Sequence, residues 1–178
     1  MSSLRFNPSK RWDNHVGNNN YLGISQLIIE VFNTLREGSN LKMLEIGSYN
    51  GESTSMFASS GIFDEIHCIE PFNENCETVV DEFSVNIRYF NNIILHKDYS
   101  YNICNKFPDK YFDFIYINTN HKYEDIKQDI LMYLPKTKYL IGGHNYQTNS
   151  RGVVMAVNEI FNTPHKTYMD GSWVHSIR

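Results

Sequence analysis

The stretch Glu45-Ile46-Gly47-Ser48-Tyr49-Asn50-Gly51, with Ser53 and Thr54 just beyond it, has the residue types and spacing of a ligand-binding loop. Two glycines allow a tight turn and a close approach of backbone to ligand, and amide groups at the start of a following helix can bind a carboxylate. Glu70 comes 19 residues after Gly51. An acid there, at the end of the next strand, is placed to grip the two ribose hydroxyls of a nucleoside. Taken singly, the glycines fit any strand-to-helix turn and the Glu fits a solvated charge. Together they favour a nucleoside ligand. The chain lacks the G-x-G-x-x-G triplet that seats the pyrophosphate of a dinucleotide, which sets a nicotinamide-dependent oxidoreductase far behind.

A second group of residues could move a proton. His121 follows Asn118-Thr119-Asn120, and Gly142-Gly143 leads into His144-Asn145-Tyr146. An imidazole titrates near neutrality, so His121 suits the removal of a proton from a hydroxyl nucleophile. It could equally cap the following helix or bond a loop carbonyl. His144, Asn145 and Tyr146 are expected to shape a substrate pocket. Tyr146, Trp12 and Trp173 either line that pocket or pack in the core. Two histidines without a carboxylate make an incomplete transition-metal site, so no metal ligand is assigned.

These residues need a frame that brings them to one place. Apolar residues from Leu22 to Leu35 recur at spacings of three and four, which predicts an amphipathic helix from Tyr21 to about Gly38. Strands then alternate with helices. The expected strands are Lys42–Ile46, Glu65–Glu70, Ile93–His96, Phe112–Ile117 and Tyr139–Ile141, with helices at Gly51–Ser59, Asn73–Phe83, Tyr123–Tyr133 and Val153–Phe161. Lys166–Met169 and Trp173–Ile177 should close the chain as a hairpin around Asp170-Gly171. This order predicts an α/β fold, a mostly parallel sheet with helices on both faces and an antiparallel edge strand. In such sheets ligands sit beyond the carboxyl ends of the strands. Residues 1–20 read as an arm or lid, and residues 21–178 as a single domain.

Composition narrows the partners. A net charge of −4 in 178 residues gives no basic stripe for a phosphate backbone, so nucleic acid is not expected. The 41% hydrophobic and 14% aromatic content is that of a globular domain. Cys68, Cys76 and Cys104 have neither disulfide pairing nor zinc spacing and read as reduced thiols of a cytoplasmic protein. The first fifteen residues hold no apolar run of a signal peptide. No segment approaches the run of about 20 apolar residues of a membrane span. The tail is short, so the arm or a second copy of the chain, as in a homodimer, is expected to close the pocket.

Leu44-Glu45-Ile46-Gly47-Ser48 through Ser53-Thr54, the strand Phe112–Ile117 through His121-Lys122-Tyr123 and Asp129, and Gly142-Gly143-His144-Asn145-Tyr146 carry a family likeness. In them the chain resembles the class I S-adenosylmethionine-dependent methyltransferases, whose first motif is E/D-x-G-x-x-x-G. More narrowly it is similar to the family of the macrocin O-methyltransferases and cephalosporin-hydroxylase-like proteins, over roughly residues 21–173. The resemblance implies a Rossmann-like methyltransferase fold and S-adenosylmethionine as cofactor. Glu45, Gly47, Ser48, Gly51 and Ser53 would lie around its methionine end and Glu70 at its ribose. Asp98, Tyr99 and Ser100 would flank the adenine, unless they form only a solvated turn, and Asn118 would also touch the cofactor.

The resemblance also implies His121 as the base. The family it resembles usually has Asp-Gly-Asp-His and His-Asp-Tyr where this chain has Asn118-Thr119-Asn120-His121 and His144-Asn145-Tyr146. Neutral amides hold magnesium poorly, so Mg²⁺ dependence is expected to be weak or absent. The expected activity is O-methylation of a hydroxyl on a sugar or other small molecule. The alternative is an S-adenosylmethionine-binding protein of the same fold without transferase activity.

Overall fold

The computed structural model describes residues 19–73, 77–147 and 149–177. The expected arm lies outside the described residues as far as residue 18, and Trp12 with it. Helix α1 (Asn19–Leu35) leads into strand β1 (Lys42–Ile46). Helix α2 (Glu52–Ser59), β2 (Glu65–Ile69), α3 (Glu77–Ile87) and β3 (Ile93–His96) follow. A short helix α4 (Ser100–Ile103) continues as a 3-10 turn (Cys104–Lys106). Then come β4 (Phe112–Ile117), α5 (Tyr123–Tyr133), β5 (Thr137–Gly143), α6 (Arg151–Phe161), β6 (Lys166–Thr167) and β7 (Trp173–Ser176).

The strands form one sheet in the order β3-β2-β1-β4-β5-β7-β6. Strands β1 to β5 pair in parallel, and β7 pairs antiparallel with both β5 and β6. The mostly parallel sheet and the antiparallel hairpin at its edge are thus as the sequence predicted.

Side-chain alternation divides the core. Met43, Ile66, Cys68, Phe114 and Tyr116 face α1, α2 and α3, where they meet Leu27, Val31, Phe57 and Phe83. Leu44, Ile46, Ile69, Ile115 and Ile117 face the other way, onto Ile103, Ile126, Ile130, Val153 and Val157. All six residues of β4 are buried, because this central strand is covered on both faces. Each large apolar side chain so buried contributes about 1.5–3 kcal/mol.

Several elements differ from expectation. Helix α3 runs four residues beyond Phe83 to Ile87, on a face that buries Val79 and Phe83. Strand β5 extends two residues to either side of the apolar Tyr139–Ile141 stretch, since its ends pair with β4 and β7. Helix α4 was not expected at all. Its four residues carry too little periodicity to reveal it, and Ile103 is its single buried side chain.

Candidate active site

The strand order reverses between β1 and β4, and the loops at their carboxyl ends open into a cavity of about 600 Å³. That volume is in the ordinary range for small-molecule sites, roughly 300–1,000 Å³. Its wall includes Gly47 and Tyr49 after β1, Glu70 after β2, Tyr99 and Ser100 after β3, and Asn118 and His121 after β4.

Gly47 has φ 85°, and a Cβ on it would stand 2.3 Å from the Asn118 carbonyl oxygen. The β1 and β4 ends can therefore lie side by side only with glycine here. Gly51, at φ 79°, starts α2 and brings its Cα against Phe83, whose Cδ2 would be 2.9 Å from an added Cβ.

The loop amides are partly used within the loop. Tyr49 N donates to Glu70 Oε2 at 2.8 Å, Gly47 N to Ile69 O at 2.9 Å, and Gly51 N to Ser48 O at 2.8 Å. Glu70 Oε1 accepts from Phe72 N at 3.3 Å. Its carboxylate is thereby fixed at the cavity wall, with lone pairs left for hydroxyl donors.

Glu45 is 0% exposed and stands behind this wall. It accepts hydrogen bonds from Ser53 Oγ and Thr54 Oγ1 and so braces β1 to the start of α2. Burial raises its pKa, while the Ser53, Thr54 and Ser48 hydroxyls act in the opposite direction. Ser48, Gly51 and Ser53 are likewise absent from the cavity lining and support the loop from below. Asp98 accepts from Tyr99 N (2.8 Å) and Asn102 Nδ2 (2.7 Å), which fastens the start of α4 and holds its pKa down.

The far wall was largely missed in the sequence. Asp125, Gln128 and Asp129 line it from α5 at i, i+3 and i+4, one face of a helix, and that spacing was the available signal. Asp129 is 5% exposed and accepts from Ser100 Oγ at 2.6 Å and Thr119 Oγ1 at 3.1 Å. It ties α5 to the segments after β3 and β4, and burial raises its pKa. Tyr99 and Tyr101 stack with centroids 5.3 Å apart, and Tyr99 Oη donates to Asn73 Oδ1 at 2.7 Å. Both tyrosines and Asn73 are on the cavity wall.

His121 is at the cavity mouth with φ 63°. It does not cap α5, whose N-cap is Lys122 without a side-chain cap bond. Its Nε2 is instead 2.6 Å from Asn145 Nδ2. Partial burial of the ring lowers its pKa, which favours the neutral imidazole.

His144, Asn145 and Tyr146 are not among the cavity-lining residues. His144 Nε2 is 3.9 Å from Asp170 Oδ2, and burial lowers its pKa although Asp170 opposes this. Tyr146 Oη turns toward α6 and donates to Asn158 Oδ1 at 2.8 Å. Trp173 is 1% exposed and packs in the core. Asn120 Nδ2 donates to Asp125 Oδ2 at 2.6 Å. Among the described residues, no group of three or more His, Cys, Asp or Glu side chains converges as a metal site. No helix among them is long and apolar enough to cross a membrane.

A parallel sheet with this strand order, and a nucleoside-sized cleft at its point of reversal, defines a Rossmann-like α/β protein. The chain belongs to the methyltransferase-domain family, whose model matches residues 44–144. A comparison with curated proteins gives no match.

Solved structures share the fold at low identity. The O-methyltransferase from Bacillus cereus in complex with SAH is 17% identical with a TM-score of 0.60, over 84% of this chain and 79% of that one. The O-methyltransferase TomG from Streptomyces achromogenes, in complex with SAM, is 12% identical with a TM-score of 0.60, over 84% and 78%. A precorrin 8W decarboxylase from Methanobacterium thermoautotrophicum is 13% identical with a TM-score of 0.59, over 85% and 84%. The fold thus accompanies more than one chemistry in its relatives.

Proposed function

We propose that the protein transfers a methyl group from S-adenosylmethionine to a hydroxyl of a sugar or other small molecule. The observation that carries this reading is one cavity whose wall includes both Glu70 and His121. Glu70, fixed by the Tyr49 amide, receives the ribose hydroxyls, while Gly47 lets the backbone approach the cofactor. Tyr99, Ser100 and Asn118 line the same cavity, and Tyr99 with Tyr101 offers an aromatic surface for the adenine. Glu45, Ser48, Gly51, Ser53 and Asp98 act on the cofactor by holding these loops in place. S-adenosylmethionine supplies an electrophilic methyl on a sulfonium. His121, whose lowered pKa favours the neutral ring, takes the proton of the attacking hydroxyl.

Mg²⁺ is not required in this reading, on the chemistry of the donors present. Asn118, Asn120 and Asn145 offer only neutral amide oxygens, and the Asn120 and Asn145 oxygens already accept from Lys122 N and Gln147 Nε2. The methyltransferase family and the O-methyltransferases of like fold support a transferase. The narrower likeness to the macrocin O-methyltransferases favours a sugar or natural-product acceptor.

Calorimetry with S-adenosylmethionine and S-adenosylhomocysteine, with and without Mg²⁺, tests the cofactor. Micromolar binding that Mg²⁺ leaves unchanged is expected, and absence of binding overturns the reading. Release of S-adenosylhomocysteine across a panel of hydroxylated acceptors tests the transfer. Binding without release on any acceptor favours a cofactor-binding protein instead.

A further inference from the structure

Asn145 joins three segments of the chain. It follows β5 with φ 62°, and the next residue, Tyr146, donates its amide to Gly171 O at 2.7 Å in the β6–β7 turn. Gly171 also packs on Gln147, whose Cδ would be 3.1 Å from a Cβ at that glycine. Gln147 Nε2 in turn donates to Asn145 Oδ1 at 3.2 Å. With Oδ1 so engaged, Nδ2 is the atom directed at His121 Nε2, 2.6 Å away.

An amide nitrogen offers hydrogens and no available lone pair, so the imidazole nitrogen facing it must accept. A neutral imidazole that accepts at Nε2 carries its proton on Nδ1. Both backbones are left-handed at this contact, a conformation that non-glycine residues adopt only at a cost. The surrounding bonds hold the two side chains together despite that cost.

We propose that Asn145, backed by Gln147, is a positioning residue that holds His121 as the neutral Nδ1–H tautomer and covers its Nε2 lone pair until an acceptor hydroxyl displaces the amide. This rests on the proposed role of His121 as the base. The base atom is then Nε2, kept unprotonated and aimed by a neutral donor. An aspartate at position 145 would act oppositely, since its charge would draw a proton onto Nε2 and leave an imidazolium unable to accept another. The other titratable groups near the ring are His144 and, 3.9 Å behind it, Asp170. Asp170 is fixed by the β6–β7 turn, where Ser172 N and Oγ donate to it.

Long-range ¹H–¹⁵N spectra of the full-length protein labelled at histidine read the tautomer of His121 directly, without an acceptor. The wild type is expected to show protonated Nδ1 and bare Nε2 above the titration of the ring. Asn145→Ala should move the ring toward Nε2–H. Asn145→Asp should raise its titration midpoint by about one pH unit or more. Gln147→Ala, which leaves Asn145 itself in place, should lower the Nδ1–H fraction by a smaller amount and serves if the Asn145 variants do not fold. An Nε2–H ring in the wild type, or one unchanged by these substitutions, overturns the proposal while leaving cofactor binding intact. Failure of the protein to bind S-adenosylmethionine or S-adenosylhomocysteine would sink the methyltransferase reading and leave the tautomer result standing.

Discussion

Glu70 Oε2 accepts the Tyr49 amide at 2.8 Å, so the end of β2 and the loop after β1 are one structural unit across 21 residues of chain. The same carboxylate faces the cavity. Its removal is therefore expected to act on the loop and, if the proposed cofactor site holds, on the cofactor as well.

Glu70→Ala should weaken S-adenosylhomocysteine binding at least about tenfold, since charge-assisted hydrogen bonds are worth roughly 1.5–3 kcal/mol. Glu70→Gln keeps an acceptor for the Tyr49 amide. It should retain most of the thermal stability lost in the alanine variant while still binding the nucleoside more weakly. Calorimetry and thermal unfolding of the two variants separate the roles, and equal ligand affinity in wild type and Glu70→Ala would remove Glu70 from the site.

Gly47 and Gly61 form a matched pair, with φ 85° and 67°. A Cβ at Gly61 meets nothing within 4 Å, whereas one at Gly47 runs into the Asn118 carbonyl. Gly61→Ala should cost only the backbone conformation, about 1–2 kcal/mol. Gly47→Ala should cost clearly more than that and also reduce cofactor affinity, because β1 and β4 must move apart. Denaturant midpoints compare the two, and similar losses would contradict the close approach seen here.

Stability should fall on acidification through the histidines. His67 Nδ1 is 2.9 Å from His96 Nε2, and burial lowers the pKa of both from the ordinary value near 6.5. A depressed folded-state pKa means that the unfolded chain binds more protons below about pH 6.5, so stability is full above that value and is lost as pH drops toward the folded pKa. Lys42 and Glu65 flank this pair, and the Glu65 contact to His67 partly offsets the effect. Glu45 and Asp129 have raised pKa values and act in the opposite sense, since their burial is less costly once they are protonated. Unfolding temperatures measured from about pH 7 to about pH 5 should decline, and the decline should be shallower in His67→Gln. An identical slope in that variant would exclude the pair as its source.

His121→Ala should lower turnover by about a hundredfold or more, the usual worth of a general base, while leaving cofactor affinity nearly unchanged. Single-turnover rates alongside calorimetry make the distinction. A loss below about tenfold would reduce His121 to a structural residue.

Much of the frame follows from local pattern alone. The apolar runs of β1, β3 and β4 and the periodicity of α5 match the structure to the residue, because buried strands and amphipathic helices write their environment into consecutive side chains. Helix α4 is too short to do so. Glycine spacing and Glu70 also pointed to a single place, and Gly47 and Glu70 do share one cavity wall.

What the sequence could not assign was which side chains face that wall. Glu45 stands in a motif yet points into the core, because strand alternation sends it under α2 toward Ser53 and Thr54. Asp129 stands outside the glycine motif yet reaches the cavity, because α5 turns one face to the loops after β3 and β4. Residue types and spacing determined that this chain folds as an alternating α/β sheet with a glycine-rich loop after its first strand. Only tertiary packing decided that His121 meets Asn145, a pairing 24 residues apart, because it depends on where β4 and β5 end side by side and how the β6–β7 turn holds the intervening loop.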